Sequence, residues 1–242
     1  MSYFDFLNVF TIPDCNKIRL GNSVDGGYVI YDLENNYDCL LSCGVADDSS
    51  FELEFFNKYG TKPGFLFDGT IKNIPNNFPS EYYFIYKNIS GHNDIHNTDL
   101  KDLIKSHKNI FLKMDIEGWE YPFLSNLSID EIKNIKQITA EFHGIFDNSH
   151  GFNYNLKSQV YELLSKTHYL VHVHGNNAMP VYIINNTIKL PMLLEMTWVR
   201  KSDVKDVKRN TVKFPIEGLD YPNDSSKDDY VIDFEPFVYK NE

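Results

Sequence analysis

Short apolar runs that alternate with helical patterns constrain the fold of this chain more than any other feature. Five such runs precede residue 145, and they begin at Cys39, Phe65, Tyr82, Ile110 and Ile135. Short apolar runs are typical of strands that are buried on both faces of a sheet. Because helical patterns separate the runs, we expect right-handed β-α-β crossovers and a mostly parallel sheet.

The helix starts are also marked in the sequence. Ser49 with Glu52, and Ser128 with Glu131, have the spacing of a capping box. Apolar residues between 156 and 164 repeat at helical spacing and predict a strong amphipathic helix. These signals place helices after the first and fourth strands and before the sixth.

The length of 242 residues lies in the upper range of one domain, so we expect a single α/β domain. Residues 1–36 are predicted to be an N-terminal extension that carries an Asp-Gly-Gly turn. Residues 37–201 are predicted to be the core, with later strands at 169–174 and 196–200. Residues 202–242 are polar, and the sequence leaves open whether they form a lid, an extension or a dimer arm.

The charge balance excludes several classes of partner. The chain has 23 Lys and Arg against 34 Asp and Glu, a formal net charge of −11. Nucleic acids and anionic membrane surfaces require basic faces, so neither partner is expected. No apolar run approaches the roughly 20 residues that span a bilayer. Residues 1–20 do not resemble a signal peptide, so a cytoplasmic protein is the expectation.

Three cysteines, at positions 15, 39 and 43, are too few and too irregular for a disulfide framework. Cys39 and Cys43 flank an apolar run. We therefore predict that they are buried strand residues rather than a metal pair.

Ligands of an open parallel sheet bind beyond the carboxyl ends of its strands, so residues that end the apolar runs are site candidates. Gly44 follows the first run, and Asp68 ends the second, near the distance of roughly 20 residues at which a Rossmann carboxylate binds a ribose. The full G-x-G-x-x-G of a pyrophosphate site is missing, which disfavours NAD or FAD. S-adenosylmethionine has no phosphate and remains suitable. Both residues are also common in ordinary turns.

The densest group of acidic residues follows the fourth run. Asp115 ends the run directly before a helix, and Glu117 and Glu120 follow within five positions. A carboxylate at this position is either a helix cap or a site residue. The additional acids exceed what a cap requires and favour the site.

The fifth run ends in a carboxylate and an imidazole on one face of the strand. Glu141 and His143 are two positions apart, which is the strand period. The pair suits metal ligation or base catalysis, and a half-exposed polar strand end fits equally well.

A later strand carries two histidines on one face, His172 and His174, before the dipeptide Asn176-Asn177. His174 is nearer the loop and is the better site candidate, while the other histidine can simply cap the sheet edge. The two asparagines could bind hydroxyl groups or serve as turn residues.

Several of these segments together resemble the FkbM-type family of S-adenosylmethionine-dependent methyltransferases, over about residues 20–201. The segments are Asp25-Gly26-Gly27-Tyr28-Val29 and residues 42–52, 113–120, 172–177 and 195–201. The most specific is Lys-x-Asp-x-Glu-Gly-x-Glu at 113–120. The chain departs from the common pattern at Ala46 and Asp48, where glycines are usual, and at Gly69.

The resemblance implies a Rossmann-like class I methyltransferase fold: a mostly parallel seven-stranded sheet with helices on both faces and one antiparallel strand near the edge. It implies O-methylation of a sugar hydroxyl. A nucleotide-activated sugar or polysaccharide precursor of surface glycans is the expected small-molecule partner, and homo-oligomers remain open. The predicted cofactor-binding residues are Asp25, Gly26, Gly44, Asp48 and Asp68. The predicted substrate-binding residues are Glu117, Asn176 and Asn177.

Deprotonation of a sugar hydroxyl needs a base or a metal ion. The predicted catalytic residues are Asp115, His143 and His174. Related metal-dependent O-methyltransferases have carboxylates at the ends of the fourth and fifth strands, so Asp115, Glu141 and His143 are the predicted ligands of Mg²⁺ or Mn²⁺. A non-catalytic carbohydrate-recognition domain is the alternative. A Rossmann oxidoreductase is disfavoured by the missing glycine motif.

Overall fold

The computed structural model describes residues 3–33, 37–74, 78–145, 153–184 and 188–240. Its centre is a seven-stranded sheet, as the resemblance implied. We number the strands in chain order: β1 Cys39–Cys43, β2 Gly64–Phe67, β3 Tyr82–Ile85, β4 Ile110–Met114, β5 Ile135–His143, β6 His168–Gly175 and β7 Leu193–Arg200.

The spatial order of the sheet is β3-β2-β1-β4-β5-β7-β6. The first five strands of this order pair in parallel, and β7 runs antiparallel to both β5 and β6. The sheet is therefore mixed, with one reversed strand next to its edge. The chain order changes direction between β1 and β4, and this switch point is where a doubly wound sheet forms its ligand crevice.

Five α-helices accompany the sheet in the described part of the chain. They are α1 Ser50–Tyr59, α2 Lys101–Ser106, α3 Glu120–Ser125, α4 Ile129–Ile132 and α5 Tyr154–Thr167. Helix α1 packs Phe51 and Phe55 against Phe111 of β4 on one face of the sheet. Helices α2 to α5 cover the other face, where Tyr121 and Tyr161 join the main core.

An N-terminal hairpin covers the rest of the α1 face. Its strands are Lys17–Leu20 and Tyr28–Tyr31, and the loop between them holds the Asp-Gly-Gly turn. The backbone of Tyr31 exchanges two hydrogen bonds with the Gln137 side chain of β5. The Thr197 hydroxyl of β7 donates to the Val29 carbonyl. These bonds bring the hairpin loop over the carboxyl end of β5 and the amino end of β7.

The remaining regular elements are short. Strand pairs form between Phe10–Thr11 and Lys208–Arg209, between Asn88–Ile89 and Asn97–Thr98, and between Val181–Ile184 and Ile188–Pro191. Two 3₁₀ helices span Tyr3–Leu7 and Lys201–Asp203. Within the described ranges, no helix is both long and apolar enough to cross a bilayer.

One predicted capping box is confirmed and one is wrong. At α4 the Ser128 side chain and the Glu131 side chain bond each other's backbone N–H, as predicted. At α1 the Ser49 side chain makes no capping bond. Glu52 instead points into the sheet, where its carboxylate accepts a hydrogen bond from the Ser42 hydroxyl at 2.5 Å. The same carboxylate oxygen lies 3.7 Å from the Lys113 ammonium nitrogen. A buried partner outcompetes a helix end for this carboxylate.

Cys39 and Cys43 are free and fully buried in β1, as predicted. Burial raises the pKa of both thiols. They are inert core residues on the face that α2 to α5 cover.

Candidate functional site

A cavity of about 450 Å³ opens beyond the carboxyl ends of β1, β2 and β4, at the switch point of the sheet. Its volume lies within the range of small-molecule sites. Apolar and polar side chains contribute to its walls: Phe67, Ile89, Ile116 and Trp119 among the apolar, and Asp68, Thr70, Lys87, Asn88, Asn97, Asp115 and Glu117 among the polar.

Gly44 forms the floor of this cavity where β1 passes into the loop before α1. Its φ is +79°, and a Cβ atom at this position would lie 1.7 Å from the Asp115 carbonyl oxygen. Its N–H donates to the Phe67 carbonyl at 2.8 Å. Only glycine allows the β1 and β4 loops to approach this closely.

Asp68 lies on the opposite wall of the cavity and is only 6% exposed. One carboxylate oxygen accepts the Ala46 N–H at 2.8 Å, and the other accepts the Thr70 N–H and hydroxyl. Burial acts to raise the pKa of Asp68, but these donors outweigh it and lower the pKa. The carboxylate is therefore ionised and fixed in orientation, and its remaining lone pairs are available to a hydroxyl donor.

The other three predicted cofactor residues do not line this cavity. The Asp48 carboxylate accepts hydrogen bonds from the Asn22 amide at 2.5 Å and from the backbone and hydroxyl of Ser50, so it organises the turn before α1. Gly26 packs against Asp48, and Asp25 accepts a bond from Asn223. These residues lie on the side of the site towards the N-terminal hairpin.

An acidic cluster lies beside the cavity at the end of β4. Ligand atoms of Asp115, Glu117 and His143 all lie within 4.8 Å of one another, and these side chains could hold a metal ion. Glu117 has a φ of +57° and is exposed, so its side chain reaches outward beside the buried imidazole. Asp115 and Glu117 also line the cavity, which makes the cluster continuous with it.

Glu120 supports this cluster from beneath and is fully buried. Its carboxylate accepts the N–H groups of Ile116 and Gly118 and lies 3.4 Å from the His143 ring. The third carboxylate of the Lys-x-Asp-x-Glu-Gly-x-Glu motif, Glu120, thus stabilises the loop and orients the histidine.

The surroundings set the protonation of the two central groups. Burial, opposed by Lys113 and His143, raises the pKa of Asp115 to about 6. Burial acts to lower the pKa of His143, but Glu120, Asp115 and Glu117 outweigh it and raise the pKa. The three carboxylates thus favour the charged form of the imidazole, and Asp115, with a pKa of about 6, can take up a proton.

Glu141 lies on the neighbouring strand β5 but is not a member of that group of potential metal ligands. It is 4% exposed and stands directly opposite Glu195 of β7 in the sheet. Burial, together with Asp115, Glu195 and Asp25, raises its pKa well above the usual value. The predicted ligand set therefore separates, with Asp115 and His143 beside Glu117 and with Glu141 facing β7.

His174 lies two strands further along, in an ion-pair chain of its own. Its ring nitrogens lie 3.1 Å from Glu195 and 2.9 Å from Asp229. Burial acts to lower its pKa, but the two carboxylates raise the pKa to about 10. At neutral pH His174 is a buried cation, which suits it to position Glu195 rather than to accept a proton.

The predicted substrate residues Asn176 and Asn177 are buried turn residues. The Asn177 amide donates to the Asp224 and Lys227 carbonyls, and its oxygen accepts the Asp224 N–H. Asn176 accepts the Ala178 N–H. Asn177 therefore attaches the segment of residues 221–232, which we call the C-terminal wall, to the end of β6.

Sequence reasoning missed four residues of this region, which are Tyr28, Glu195, Asn223 and Asp229. The Asn223 amide bridges Glu195 and Asp25 with bonds of 2.7 and 3.1 Å. The Tyr28 hydroxyl donates to Asp115 at 3.4 Å. A glutamate in the otherwise apolar β7 sequence was the one visible signal for Glu195. The two residues of the C-terminal wall carry no such signal.

The fold and the cavity define a class of protein before any comparison is made. A doubly wound sheet with a reversed strand beside its edge, a glycine at the first turn and an aspartate at the second strand end is a Rossmann-like architecture. The family model of the methyltransferase FkbM domain matches residues 14–170. The chain belongs to the FkbM methyltransferase family. No curated protein shows significant similarity to it.

The matched range includes the cavity and the acidic cluster. It ends in β6, so His174, Glu195 and the C-terminal wall lie beyond it. The residues around Glu195 and the C-terminal wall are thus outside the family model.

Proposed function

We propose that the protein is an S-adenosylmethionine-dependent O-methyltransferase that acts on a sugar hydroxyl. The observation that carries this proposal is the position of Asp115, which lines the nucleoside-sized cavity and also belongs to the acidic cluster. A donor in the cavity and an acceptor above the cluster would meet at this side chain.

The cavity residues suit the parts of the cofactor. The ionised Asp68 carboxylate can accept both ribose hydroxyls, and the apolar residues Ile89 and Ile116 offer flat surfaces for adenine. When bound, S-adenosylmethionine supplies an activated methyl group on a positively charged sulfur. The carboxylates of Asp115 and Glu117 favour that positive charge, which is lost when the methyl group leaves.

The acceptor hydroxyl must lose its proton as it attacks. Asp115, with a pKa of about 6, is the base in this proposal because it lies at the mouth of the cavity. His143, held by Glu120, balances the charge of the cluster. The Tyr28 hydroxyl orients the Asp115 carboxylate. Base catalysis of this kind contributes a factor of roughly 10² to 10⁴.

Two arguments support a sugar as the acceptor. Carboxylates and amides converge on the acceptor side, and such groups suit the many hydroxyls of a saccharide. The resemblance to the family supplies the setting, a nucleotide-activated sugar or polysaccharide precursor in surface-glycan synthesis.

Mass-spectrometric detection of labelled methyl transfer to a panel of nucleotide sugars and oligosaccharides tests the proposal. We expect turnover with at least one saccharide and a loss of about 10² in rate or more for Asp115→Asn. Asp130→Asn is the control because that carboxylate is exposed on α4. A chain that binds saccharides but not S-adenosylmethionine would instead be the carbohydrate-recognition module.

The same assay decides the role of a divalent ion. Asp115, Glu117 and His143 offer two oxygens and one nitrogen, a donor set that suits Mn²⁺ and Mg²⁺. Loss of turnover with EDTA and recovery with either ion would assign the ion to these residues. Unchanged turnover would assign proton removal to the side chains alone.

A further inference from the structure

The Glu141 carboxyl group is buried without a partner. Its side chain ends β5 at 4% exposure, and among the residues that the structure describes it has neither a hydrogen bond nor an ion pair. Burial of an unpaired carboxyl group is energetically unfavourable. Glu52 and Glu120, which are also buried, each have one carboxylate oxygen that accepts hydrogen bonds.

The groups around Glu141 increase this cost. Glu195 stands directly opposite it on β7, and Asp25 and Asp115 also act on it electrostatically. Like charges that face each other across a strand pair are destabilising. This arrangement is unfavourable when the site is empty, which is typical of a site that a ligand completes.

The nearby basic groups are already engaged. His174 pairs with Glu195 and Asp229, and His143 pairs with Glu117 and Glu120. The Lys113 ammonium donates to the Gly44 carbonyl at 2.7 Å. Among the described residues none of these basic groups pairs with Glu141, and a bound cation would supply the counter-charge that they do not.

The chemistry of that molecule follows from the donors it must supply. The described side chains spaced for a metal ion are Asp115, Glu117 and His143, and Glu141 is not among them. An ammonium group offers three donors and one positive charge at neutral pH. Glu141, Glu195 and Asp25 offer acceptors, and the Asn223 amide ties the last two together.

We propose that Glu141 is the counter-ion of a protonated primary amine, which lies between β5, β7 and the hairpin loop. The proposal rests on the proposed function, because two molecules of that reaction can supply the amine. One is an amino-sugar acceptor, and the other is the amino-acid end of the cofactor.

Calorimetric titrations of the full chain and of Glu141→Gln test the proposal with two pairs of probes. The first pair is glucosamine and glucose, which differ only in the amine, titrated with and without S-adenosylhomocysteine. The second pair is S-adenosylhomocysteine and methylthioadenosine, which differ in the amino-acid end. Glu162→Gln is the control, since that carboxylate pairs with Lys166 on the surface of α5.

We expect the amine-bearing member of one pair to bind about tenfold more tightly than its amine-free partner. Glu141→Gln should abolish that preference and leave the amine-free probe unaffected, which also shows that the variant folds. Loss of the glucosamine preference assigns the amine to the acceptor. Loss of the S-adenosylhomocysteine preference assigns it to the cofactor.

Two results would overturn the proposal: no amine preference in either pair, or a preference that survives in Glu141→Gln. Asp25→Asn provides a second variant, because Asp25 is exposed. The substitution replaces its carboxylate with a neutral amide of the same size. It should reduce the same preference partially. Failure of both adenosine probes to bind the unaltered chain would refute the proposed function alone, since the sugar pair would still report on Glu141.

Discussion

Three carboxyl groups at the same edge of the sheet differ in pKa because their surroundings differ. Asp68 of the β2 end receives N–H and hydroxyl donors, so its pKa is lowered. Asp115 of the β4 end is buried beside a lysine and a histidine, and its pKa is about 6. Glu141 of the β5 end is buried among other acids, and its pKa is raised well above its usual value. In the proposed function and the proposed amine site, these carboxyl groups accordingly have three different roles: hydroxyl acceptor, base and counter-ion.

Asp68→Asn should weaken the binding of S-adenosylhomocysteine by about tenfold or more. The amide keeps the size of the side chain but loses the charge, and one of the bonds to Ala46 or Thr70 loses its acceptor. Isothermal titration calorimetry measures the effect, with Asp130→Asn as the control. Equal affinity of the variant and the unaltered chain would remove Asp68 from the cofactor site.

His174→Gln should destabilise the fold in a pH-dependent way. The pKa of His174 is about 10 in the fold and about 6.5 when unfolded, so its charge stabilises the fold fully below pH 6.5. That contribution is lost as the pH rises towards 10. We expect a difference in the free energy of unfolding of about 2 kcal/mol or more at pH 6.5, shrinking towards pH 10.

Denaturant titrations at several pH values measure this difference. His168→Gln is the control, because burial lowers the pKa of His168 to about 4 and the residue is neutral in the fold throughout this range. Its effect should be constant between pH 7 and 10. A constant effect for His174→Gln as well would contradict the buried ion pairs.

The position of a residue was predictable where one local rule decides it. Gly44 and Asp68 were expected at the ligand crevice because strand ends at a switch point face it, and both line the cavity. Glu52 was misread as a cap because Ser42 and Lys113, which bind it, are distant in sequence. For the same reason the sequence did not decide whether Asn177 binds hydroxyl groups or is a turn residue, since its partners lie about 50 residues further along the chain.

At the scale of elements, strand and helix positions followed from periodicity, but pairing across the sheet edge did not. The sequence predicts a strand at β7 but contains no local signal for its insertion between β5 and β6. That insertion aligns Glu141, Glu195 and His174 in one row. The row results from long-range strand register rather than from a local sequence pattern, so Glu195 was not predicted as a site residue.

The C-terminal wall is attached chiefly by Asn177. Asn177→Ala removes the bonds to Asp224 and Lys227, so amide exchange over residues 221–232 should rise by about tenfold. Hydrogen–deuterium exchange with mass spectrometry measures the change, and exchange in β1 and β4 should stay as it was.

Asn126→Ala is the matched control, because the Asn126 amide attaches a different loop through the Gly91 carbonyl at 2.8 Å. It should leave the C-terminal wall protected. Unchanged exchange of the wall in Asn177→Ala would show that its other contacts hold it in place: Asp229 with His174, Asn223 with Glu195 and Tyr230 with the Met179 carbonyl.

At the scale of the whole molecule, the fold shows where part of the acidic excess behind the net charge of −11 is located. From the sequence this charge disfavoured nucleic acids and anionic membranes as partners. In the fold, carboxylates converge where β4 and β5 end and β7 begins, next to the cavity in which we propose that the positively charged cofactor binds. The charge therefore favours cationic ligands, and an anionic nucleotide sugar would have to keep its phosphates outside this region.

Calorimetry of the unaltered chain with S-adenosylmethionine tests the methyltransferase assignment most directly. We expect one cofactor per chain with a dissociation constant in the micromolar range, competition by S-adenosylhomocysteine, and no binding of NAD. Absence of binding at millimolar S-adenosylmethionine, by a chain whose circular dichroism shows it to be folded, would contradict the assignment.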